Sequence, residues 1–316
     1  MAAPGLLLVD KPGGITSHDV VARARRARGT RKIGHAGTLD PMATGLLVLG
    51  VEGATRLLTF IVGLDKTYMA TIRLGVATDT DDAEGQVVAV TDASSLDSAA
   101  ITAGIAALTG RISQVPSTYS AIKVDGRRAY DLARAGEEVQ LKAREVTVSR
   151  FEVLAERRAS TDSEAGEAAE VETATARSGM PGVVDLDVVV DCSSGTYIRS
   201  LARDLGAALG VGGHLTALRR TRIGPFDVEG APGVADLADA TLLSPATAAD
   251  AVLGRFDVTA DEARDLRHGK RLPGAAGRLP ATPAAAIDPD GRLVGVVERR
   301  GDDVKSAMNM PEEATR

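Results

Sequence analysis

Several residue types are scarce in this chain, and each scarcity excludes a class of protein. There is no Trp, and aromatic residues make up only 3% of the sequence. That is too few for a single-strand nucleic-acid binder built on many stacking platforms. The one cysteine, Cys192, excludes a disulfide framework and a metal site made of several cysteines. Such cysteine usage favours a reducing, cytoplasmic setting.

Long hydrophobic runs and an excess of positive charge are also missing. The longest apolar stretches, such as 46–51 and 183–190, are far shorter than the ~20 residues that a membrane-spanning helix needs. The first residues lack the basic region that opens a secretory signal, so we expect no membrane or secretory segment. The net charge of −6 argues against a generic nucleic-acid coat, which would be strongly basic.

The length of 316 residues suits about two domains. We predict a large domain over residues 1–250 and a small, β-rich domain over 251–316. Residues 155–182 consist mainly of Ala, Glu, Ser and Thr, so they predict an exposed, disordered, low-complexity insertion. This segment contains six acidic and three basic residues, which is half of the net charge of −6.

Hydrophobic periodicity and turn residues predict a mixture of strands and helices, and hence an α/β fold in the broad sense. Strands are predicted over 5–9, 46–49, 67–74, 146–154 and 183–190. Helices are predicted over 20–28, capped by Thr16 or Ser17, and over 92–108, 129–135 and 197–209. In the tail, Asp288-Pro289-Asp290-Gly291 predicts a hairpin between strands over 284–287 and 293–298.

Positive charge is concentrated in two segments of this acidic chain. The first basic segment, 23–32, contains five Arg and one Lys and no acidic residue. The second basic segment, 199–222, contains five Arg and a single acidic residue, Asp204. Local clustering of this kind, rather than total charge, is typical of nucleic-acid binding.

The segment GHAGTLDPMATG, residues 34–45, is the most unusual in the chain. Its three Gly and one Pro define a tight loop that presents His35 and Asp40. A carboxylate held on such a loop is a candidate nucleophile or general base. The competing interpretations are that Asp40 caps the turn before Pro41 and that His35 is a structural hydrogen bonder.

Two further segments carry candidate chemistry. The acidic run 77–85 fails the calcium-loop spacing, and it predicts a solvated loop or, as an alternative, a phosphotransferase that uses Asp79 or Asp81. In 191–201, small residues precede a helix start that suits an anion. Arg199 lies in the first turn, where the helix dipole disfavours a cation, so we expect an anionic partner for it. Nucleotide-binding and metal motifs are missing, so we expect neither a cofactor nor a metal.

Five blocks in order along the chain resemble the bacterial tRNA pseudouridine synthase B family. They are VDKPGGITSHDVV; KIGHAGTLDPMATGLLVLG with TRLL; KTYMATIRLGVATDTDDAEG; QVPSTYSAIKVDGRRAYDLAR; and CSSGTYIRSLARDLG with HLTALRRTRIGPF. The tail segment EARDLRHGKRL resembles the family's small RNA-binding domain more weakly. The resemblance implies a mixed, largely antiparallel sheet with flanking helices in a pseudouridine synthase domain over 1–250. It also implies a PUA-like RNA-binding domain over 251–316.

The resemblance also implies roles around a catalytic carboxylate. Asp40 corresponds to the family's catalytic aspartate, and Arg199 corresponds to its ion partner. Asp82 corresponds to an acid that joins the Arg199 network. Lys11 and Pro12 correspond to a motif that supports the site.

Four further residues correspond to substrate-binding positions of the family. His35 matches a residue that helps to bring the target base out of its loop, and Tyr68 matches an aromatic that stacks on it. Tyr197 and Leu218 match residues of the active site and its substrate pocket. A base inside a folded RNA loop is inaccessible, so it must be flipped out.

The implied activity is conversion of uridine 55 in the tRNA T-loop to pseudouridine, without a cofactor. The implied partner is the T-arm of tRNA, with no obligate protein partner and no membrane. Whether Asp40 attacks C6 of uracil or C1′ of ribose stays open. The alternatives are an RNA-folding or scaffold protein with a vestigial site, and the phosphotransferase described above.

Overall fold

The structure, a computed structural model, describes residues 3–117, 119, 123–124, 127–128, 141–160 and 181–311. The chain divides into two compact units. The first unit is Met1–Leu64 with Thr221–Arg316, and the second unit is Asp65–Arg220. The tail from residue 251 thus shares a unit with the N-terminal segment, and the domain boundary after residue 250 stays a prediction. The predicted helix over 129–135 lies outside the described residues, as do residues 161–180 of the predicted insertion.

The described strands are β1 (Gly5–Lys11), β2 (Ile33–Ala36), β3 (Thr44–Val51), β4 (Lys66–Leu74), β5 (Val76–Thr78), β6 (Val87–Val90), β7 (Gly110–Gln114), β8 (Lys123–Val124), β9 (Arg127–Arg128), β10 (Arg144–Ser160), β11 (Gly182–Cys192), β12 (Gly213–Ile223), β13 (Phe226–Asp227), β14 (Arg255–Asp257), β15 (Ala284–Ile287), β16 (Leu293–Arg300) and β17 (Asp303–Asn309). The described helices are α1 (Ser17–Arg28), α2 (Leu58–Ile61), α3 (Ser98–Ala107), α4 (Ile198–Ala208), α5 (Pro245–Leu253) and α6 (Ala260–Arg267). In this part of the chain, each helix is too short or too polar to cross a membrane. The mixed α/β fold predicted from the sequence is confirmed.

In the first unit, β3 pairs antiparallel with both β1 and β2. Leu46 and Val48 of β3 enter one hydrophobic core, whereas Leu47 and Leu49 enter another. Because alternate side chains of a strand leave the sheet on opposite faces, β3 is apolar at nearly every position. This explains the continuous apolar run that predicted the strand.

Helix α1 begins and ends at signals that are visible in the sequence. Thr16 is its N-cap and forms a capping box with Asp19, so Thr16 rather than Ser17 has the predicted capping role. Gly29 ends the helix in the left-handed conformation at φ 63°, which glycine adopts without steric cost.

The tail of the first unit forms a four-stranded sheet in the order β14-β15-β16-β17. Its strands β15 and β16 and the turn at Asp288 confirm the predicted hairpin, because Asp288 Oδ1 accepts the amide hydrogens of Asp290 and Arg292. Phe256, Leu266 and Val294 belong to the core beneath this sheet.

In the second unit, the sheet has the strand order β12-β4-β11-β10-β7. The pairs β4–β11, β11–β10 and β10–β7 are antiparallel. The helices α3 and α4 pack against each other, with Leu205 against Gly104. This arrangement agrees with the largely antiparallel sheet and flanking helices that the resemblance implied.

Two predicted boundaries are wrong. The predicted helix over 92–108 begins only at Ser98, capped by Asp97, because Asp92 instead accepts the amide hydrogens of Ser94 and Gly182. Residues 155–160, predicted as part of the insertion, continue β10, and the pair Ser160↔Gly182 closes the ladder with β11. These positions are exposed, so the strand is stabilised here by backbone pairing and by the Arg157–Asp187 ion pair rather than by burial of apolar side chains.

Candidate active site

The loop that carries Asp40 connects β2 to β3 in the first unit. Gly37 before it and Gly45 after it have φ values of 78° and 99°, which side-chain-bearing residues rarely adopt. Within the loop, the amide of Ala43 donates to the carbonyl of Asp40 at 3.1 Å. Asp40 is partly buried. The glycines therefore allow the sharp turns that place a carboxylate between two buried strands.

The side chain of Lys11, at the end of β1, contacts this loop through a hydrogen bond. Its side chain is completely buried, and Nζ donates to the carbonyls of Pro12, Ile15 and Pro41 at 2.9, 2.7 and 3.1 Å. A buried ammonium needs such acceptors, because desolvation of an uncompensated charge is costly. The three bonds tie the segment after β1 to the residue that follows Asp40.

Ser17, the first residue of α1, holds the residue that precedes Asp40. Its Oγ accepts the amide hydrogen of Leu39 at 2.9 Å and lies 3.2 Å from the Leu39 carbonyl oxygen. Lys11 and Ser17 are both buried, and they thus hold the backbone on both sides of Asp40.

His35 lies on β2, paired with Leu49 of β3. Its ring meets that of His18 on α1 edge-to-face, with the ring centroids 5.4 Å apart. His35 is partly buried and lies five residues before Asp40 on the same loop-bearing segment. The two predicted residues therefore lie on β2 and on the loop that follows it, in the first unit.

In the second unit, Arg199 and Asp82 form a buried ion pair. Arg199 Nη1 lies 3.2 Å from Asp82 Oδ2, and the exposed fractions of their side chains are 4% and 5%. Asp82 Oδ1 also accepts from the Thr80 hydroxyl at 2.6 Å and from the Glu84 amide at 3.1 Å. The anionic partner expected for Arg199 is therefore the Asp82 carboxylate.

Tyr197 is the N-cap residue of α4 and is held by its backbone. Its amide donates to Gln114 Oε1 at 2.8 Å, and its carbonyl accepts from Gln114 Nε2 at 3.1 Å. The Gln114 side chain, at the end of β7, is buried. One amide side chain thus satisfies both backbone groups of Tyr197 and fixes the start of α4.

Tyr68 and Leu218 lie on the neighbouring strands β4 and β12 of the second unit. Tyr68 pairs with Val190 of β11, and it is 8% exposed. Leu218 is 7% exposed. Both side chains are therefore almost completely buried in the second unit, and their roles in a substrate pocket stay predictions.

Sequence reasoning missed Lys66, which shares the buried face of β4 with Tyr68. Burial, reinforced by the positive charge of Arg220, lowers the pKa of Lys66 to about 8. Burial raises the pKa of Cys192, its register partner on β11, to about 11, so that thiol stays protonated at neutral pH. The alternation of buried positions along β4 was the signal that could have indicated Lys66.

The acidic segment 77–85 has structural contacts that its sequence did not reveal. Asp79 Oδ1 accepts the amide hydrogen of Gln86 at 2.8 Å, between β5 and β6. Asp81 forms an ion pair with Arg203 at 3.3 Å. Among the described residues, no group of three or more His, Cys, Asp or Glu side chains is arranged to hold a metal ion. Both candidate phosphotransferase carboxylates thus have local protein partners.

The predicted site residues divide between the two units. Lys11, Pro12, His35 and Asp40 belong to the first unit, where Lys11 joins the backbone of Pro12 to the loop of Asp40. The second unit contains Tyr68, Asp82, Tyr197, Arg199 and Leu218. Within it, Arg199 contacts Asp82. The ion pair between Asp40 and Arg199 stays a prediction.

Comparison with known protein families agrees with this fold. The model described as "TruB family pseudouridylate synthase (N terminal domain)" matches residues 25–198. The models "tRNA pseudouridylate synthase B C-terminal domain" and "tRNA Pseudouridine synthase II, C terminal" match residues 199–259 and 253–311. The chain therefore belongs to the TruB family of pseudouridylate synthases, and the family suggested by its sequence blocks is confirmed.

Similar curated proteins span almost the whole chain. The tRNA pseudouridine synthase B of Leifsonia xyli subsp. xyli is 56% identical over 316 residues, which cover 98% of each chain. That of Nocardia farcinica is 55% identical over 300 residues, which cover 94% of this chain and 90% of the other.

Two solved structures share the fold at low sequence identity. One is a structure of an H/ACA RNP bound to a substrate RNA containing 2'-deoxyuridine, with a TM-score of 0.67 and 23% identity over 98% of this chain and 85% of that chain. The other is a Cbf5-Nop10-Gar1 complex, with a TM-score of 0.64 and 24% identity over 98% of this chain and 84% of that chain. Both agree with the pseudouridine synthase fold.

Proposed function

We propose that this chain isomerises uridine 55 in the T-loop of tRNA to pseudouridine, with Asp40 as the nucleophile. The observation that carries the proposal is the loop of Asp40, held by Lys11 and Ser17, in a chain of the TruB family. The curated relatives are named tRNA pseudouridine synthase B, which supports tRNA as the substrate. A cytoplasmic location follows from that substrate.

The proposed reaction needs no external reactant. The bond between N1 of uracil and C1′ of ribose breaks, the base turns, and a bond between C5 and C1′ forms. C5 gives up a proton and N1 gains one, so atoms and oxidation state are conserved. A single carboxylate, on Asp40, serves as the nucleophile at C6 of uracil or at C1′ of ribose. Because nothing is oxidised or added, no cofactor enters the proposal.

The substrate base must leave the RNA stack to reach a carboxylate on a protein loop. Stacking on Tyr68 would offset the lost base stacking by roughly 1–3 kcal/mol. Leu218 and Tyr197 complete the proposed pocket, and His35 helps to extrude the base. The buried charge of Arg199, oriented by Asp82, is proposed to keep Asp40 ionised.

The first basic segment, 23–32, is proposed to bind RNA phosphates. It covers the last turn of α1 and the residues after it, where a cavity of about 420 Å³ is lined by Ala22, Arg25, Arg26, Gly29, Thr30 and Arg31. Arg26 and Arg31 are exposed, and neither forms an ion pair within the described part of the chain. Arginines without carboxylate partners suit phosphate oxygens, which position an RNA without specifying its sequence.

The proposed activity is tested with unmodified tRNA transcripts and no cofactor. We expect pseudouridine at position 55, mapped by chemical probing and primer extension. A matched transcript with cytidine at position 55 serves as the negative control. If the chain forms no pseudouridine in the T-loop of a transcript that is correctly folded, the proposed function is wrong.

Replacing Arg26 and Arg31 together by Gln is expected to weaken tRNA binding without changing kcat at saturating tRNA. The logarithmic salt dependence of the binding constant should become shallower by about 2, roughly one unit for each lost phosphate contact. The matched control replaces Arg111 and Arg150 by Gln, because both are exposed and already paired with Glu145 and Glu152. An equal loss of affinity in both double variants would show that net charge, rather than this segment, determines binding.

A further inference from the structure

Helix α4 presents two arginines, one turn apart, to two consecutive aspartates. Arg199 Nη1 lies 3.2 Å from Asp82 Oδ2, and Arg203 Nη1 lies 3.3 Å from Asp81 Oδ2. Residues four apart on a helix occupy the same face. The ion pair between Arg199 and Asp82 therefore lies next to a second ion pair, between Arg203 and Asp81. Neither the family resemblance nor the known relatives assign a role to Arg203 or Asp81.

Both arginines also bind backbone groups after β7, in the segment 115–119, of which residues 115–117 and 119 are described. Arg203 Nη2 donates to the Val115 carbonyl at 2.7 Å, and Arg199 Nη2 donates to the Tyr119 carbonyl at 2.8 Å. Between these two residues, the Ser117 hydroxyl lies 3.4 Å from the carbonyl oxygen of Thr80. The two ion pairs connect α4 to the loop 79–82, and the hydrogen bonds of the same arginines connect α4 to Val115 and Tyr119.

Asp81 has an uncommon backbone conformation, and its carboxylate lies in a buried environment that disfavours the charge. Its φ of 63° lies in the left-handed region, where residues other than glycine are uncommon. Its residue surface is 8% exposed, and burial raises the pKa of its carboxyl, opposed by Arg203, Ser117 and Arg199. Its carbonyl accepts the amide hydrogen of Leu215 at 3.0 Å, which holds this conformation in place. Strained, buried charges persist where the surrounding structure fixes them, and they cluster at functional sites.

We propose that Arg203 and Asp81 are positioning residues, which hold residues 115–117 and 119 against α4 and thereby fix the orientation of the Arg199 guanidinium. The inference rests on the proposed function, because it is the pseudouridine synthase activity that Arg199 serves. Without Arg203, the Val115 carbonyl loses its hydrogen bond to α4, whereas the Tyr119 carbonyl still accepts a hydrogen bond from Arg199. The Arg199 guanidinium would then sample other orientations.

The test compares Arg203→Met, Asp81→Asn and the double variant, with pseudouridine formation in a T-arm stem-loop and thermal unfolding as readouts. Arg203→Met leaves the buried Asp81 carboxylate without this ion partner and should lower the melting temperature. Asp81→Asn should lower it less, because Arg203 is 31% exposed and keeps its ion pair with Asp204 at 2.8 Å. The double variant removes both charges and should recover most of that stability. In Arg203→Met and in the double variant, we expect kcat to be roughly 10- to 100-fold below that of wild type. The upper limit is the loss that a ~1 Å misplacement of a catalytic group can cause.

Arg73→Met is the matched control, since it breaks a partly buried ion pair of the same unit, Arg73 with Asp185 at 2.8 Å. It should lower stability and leave kcat near that of wild type. If kcat returns to wild type together with stability in the double variant, Arg203 is merely structural and the inference is overturned. A wild-type kcat in Arg203→Met also overturns it. Failure of the wild-type chain to form pseudouridine would instead overturn the proposed function, and this inference with it.

Discussion

Replacing Asp40 by Asn is expected to abolish pseudouridine formation, with a loss of at least roughly 10⁴-fold in kcat, as for other enzymes deprived of their nucleophile. Asn keeps the shape of the side chain and the backbone bond from Ala43, but its amide is not a nucleophile. Lys11 and Ser17 hold the loop through backbone groups on either side of Asp40. The variant should therefore fold and bind tRNA like the wild-type chain.

The measurement is single-turnover conversion of a T-arm stem-loop, with thermal unfolding and tRNA affinity recorded on the same preparations. Asp239→Asn, at an exposed position in the same unit, is the matched control and should retain full activity. Conversion by Asp40→Asn within tenfold of wild type would contradict the assignment of the nucleophile. Refolding of tRNA by the inactive variant would reveal an additional role in RNA folding, which the catalytic assignment does not exclude.

Replacing Lys11 by Met is expected to affect both stability and activity. The change removes the ammonium from the carbonyls of Pro12, Ile15 and Pro41, of which the Pro41 carbonyl keeps the Gly14 amide as a donor at 2.9 Å. An unsatisfied buried acceptor costs ~1–3 kcal/mol, and water can reach the exposed Pro12, so the free energy of unfolding should fall by roughly 1–3 kcal/mol. Because one of these carbonyls follows Asp40 directly, kcat should fall by roughly 10²-fold, as for a misplaced catalytic group.

Urea unfolding measures the first effect, and kcat measured well below the unfolding transition measures the second. Lys32→Met is the control for stability, because Lys32 is exposed and its ion pair with Glu52, at 3.6 Å, is worth ~0–1 kcal/mol. A wild-type kcat in folded Lys11→Met protein would show that the loop of Asp40 keeps its geometry without Lys11.

Much of the fold could be predicted because the signals are local. The apolar run of β3, the cap at Thr16 and the turn at Asp288 each specify a boundary within a few residues. The start of α3 could not be predicted, because Asp92 has a partner 90 residues away, at Gly182. The end of β10 was missed for a similar reason, since polar residues there form a strand only by pairing with β11.

The sequence by itself determined the family and indicated the loop that presents Asp40, because these depend on residue types at short spacing. The candidate pocket residues followed only from the resemblance to the family and stay predictions. Only the tertiary structure decided how that chemistry is supported. It placed the buried ammonium of Lys11 against the carbonyl of Pro41 in the loop, and it paired Arg199 with Asp82 and Arg203 with Asp81. The physical reason is that a charge can be buried only where distant segments bring acceptors or counter-charges to it, and a local sequence pattern does not contain those partners.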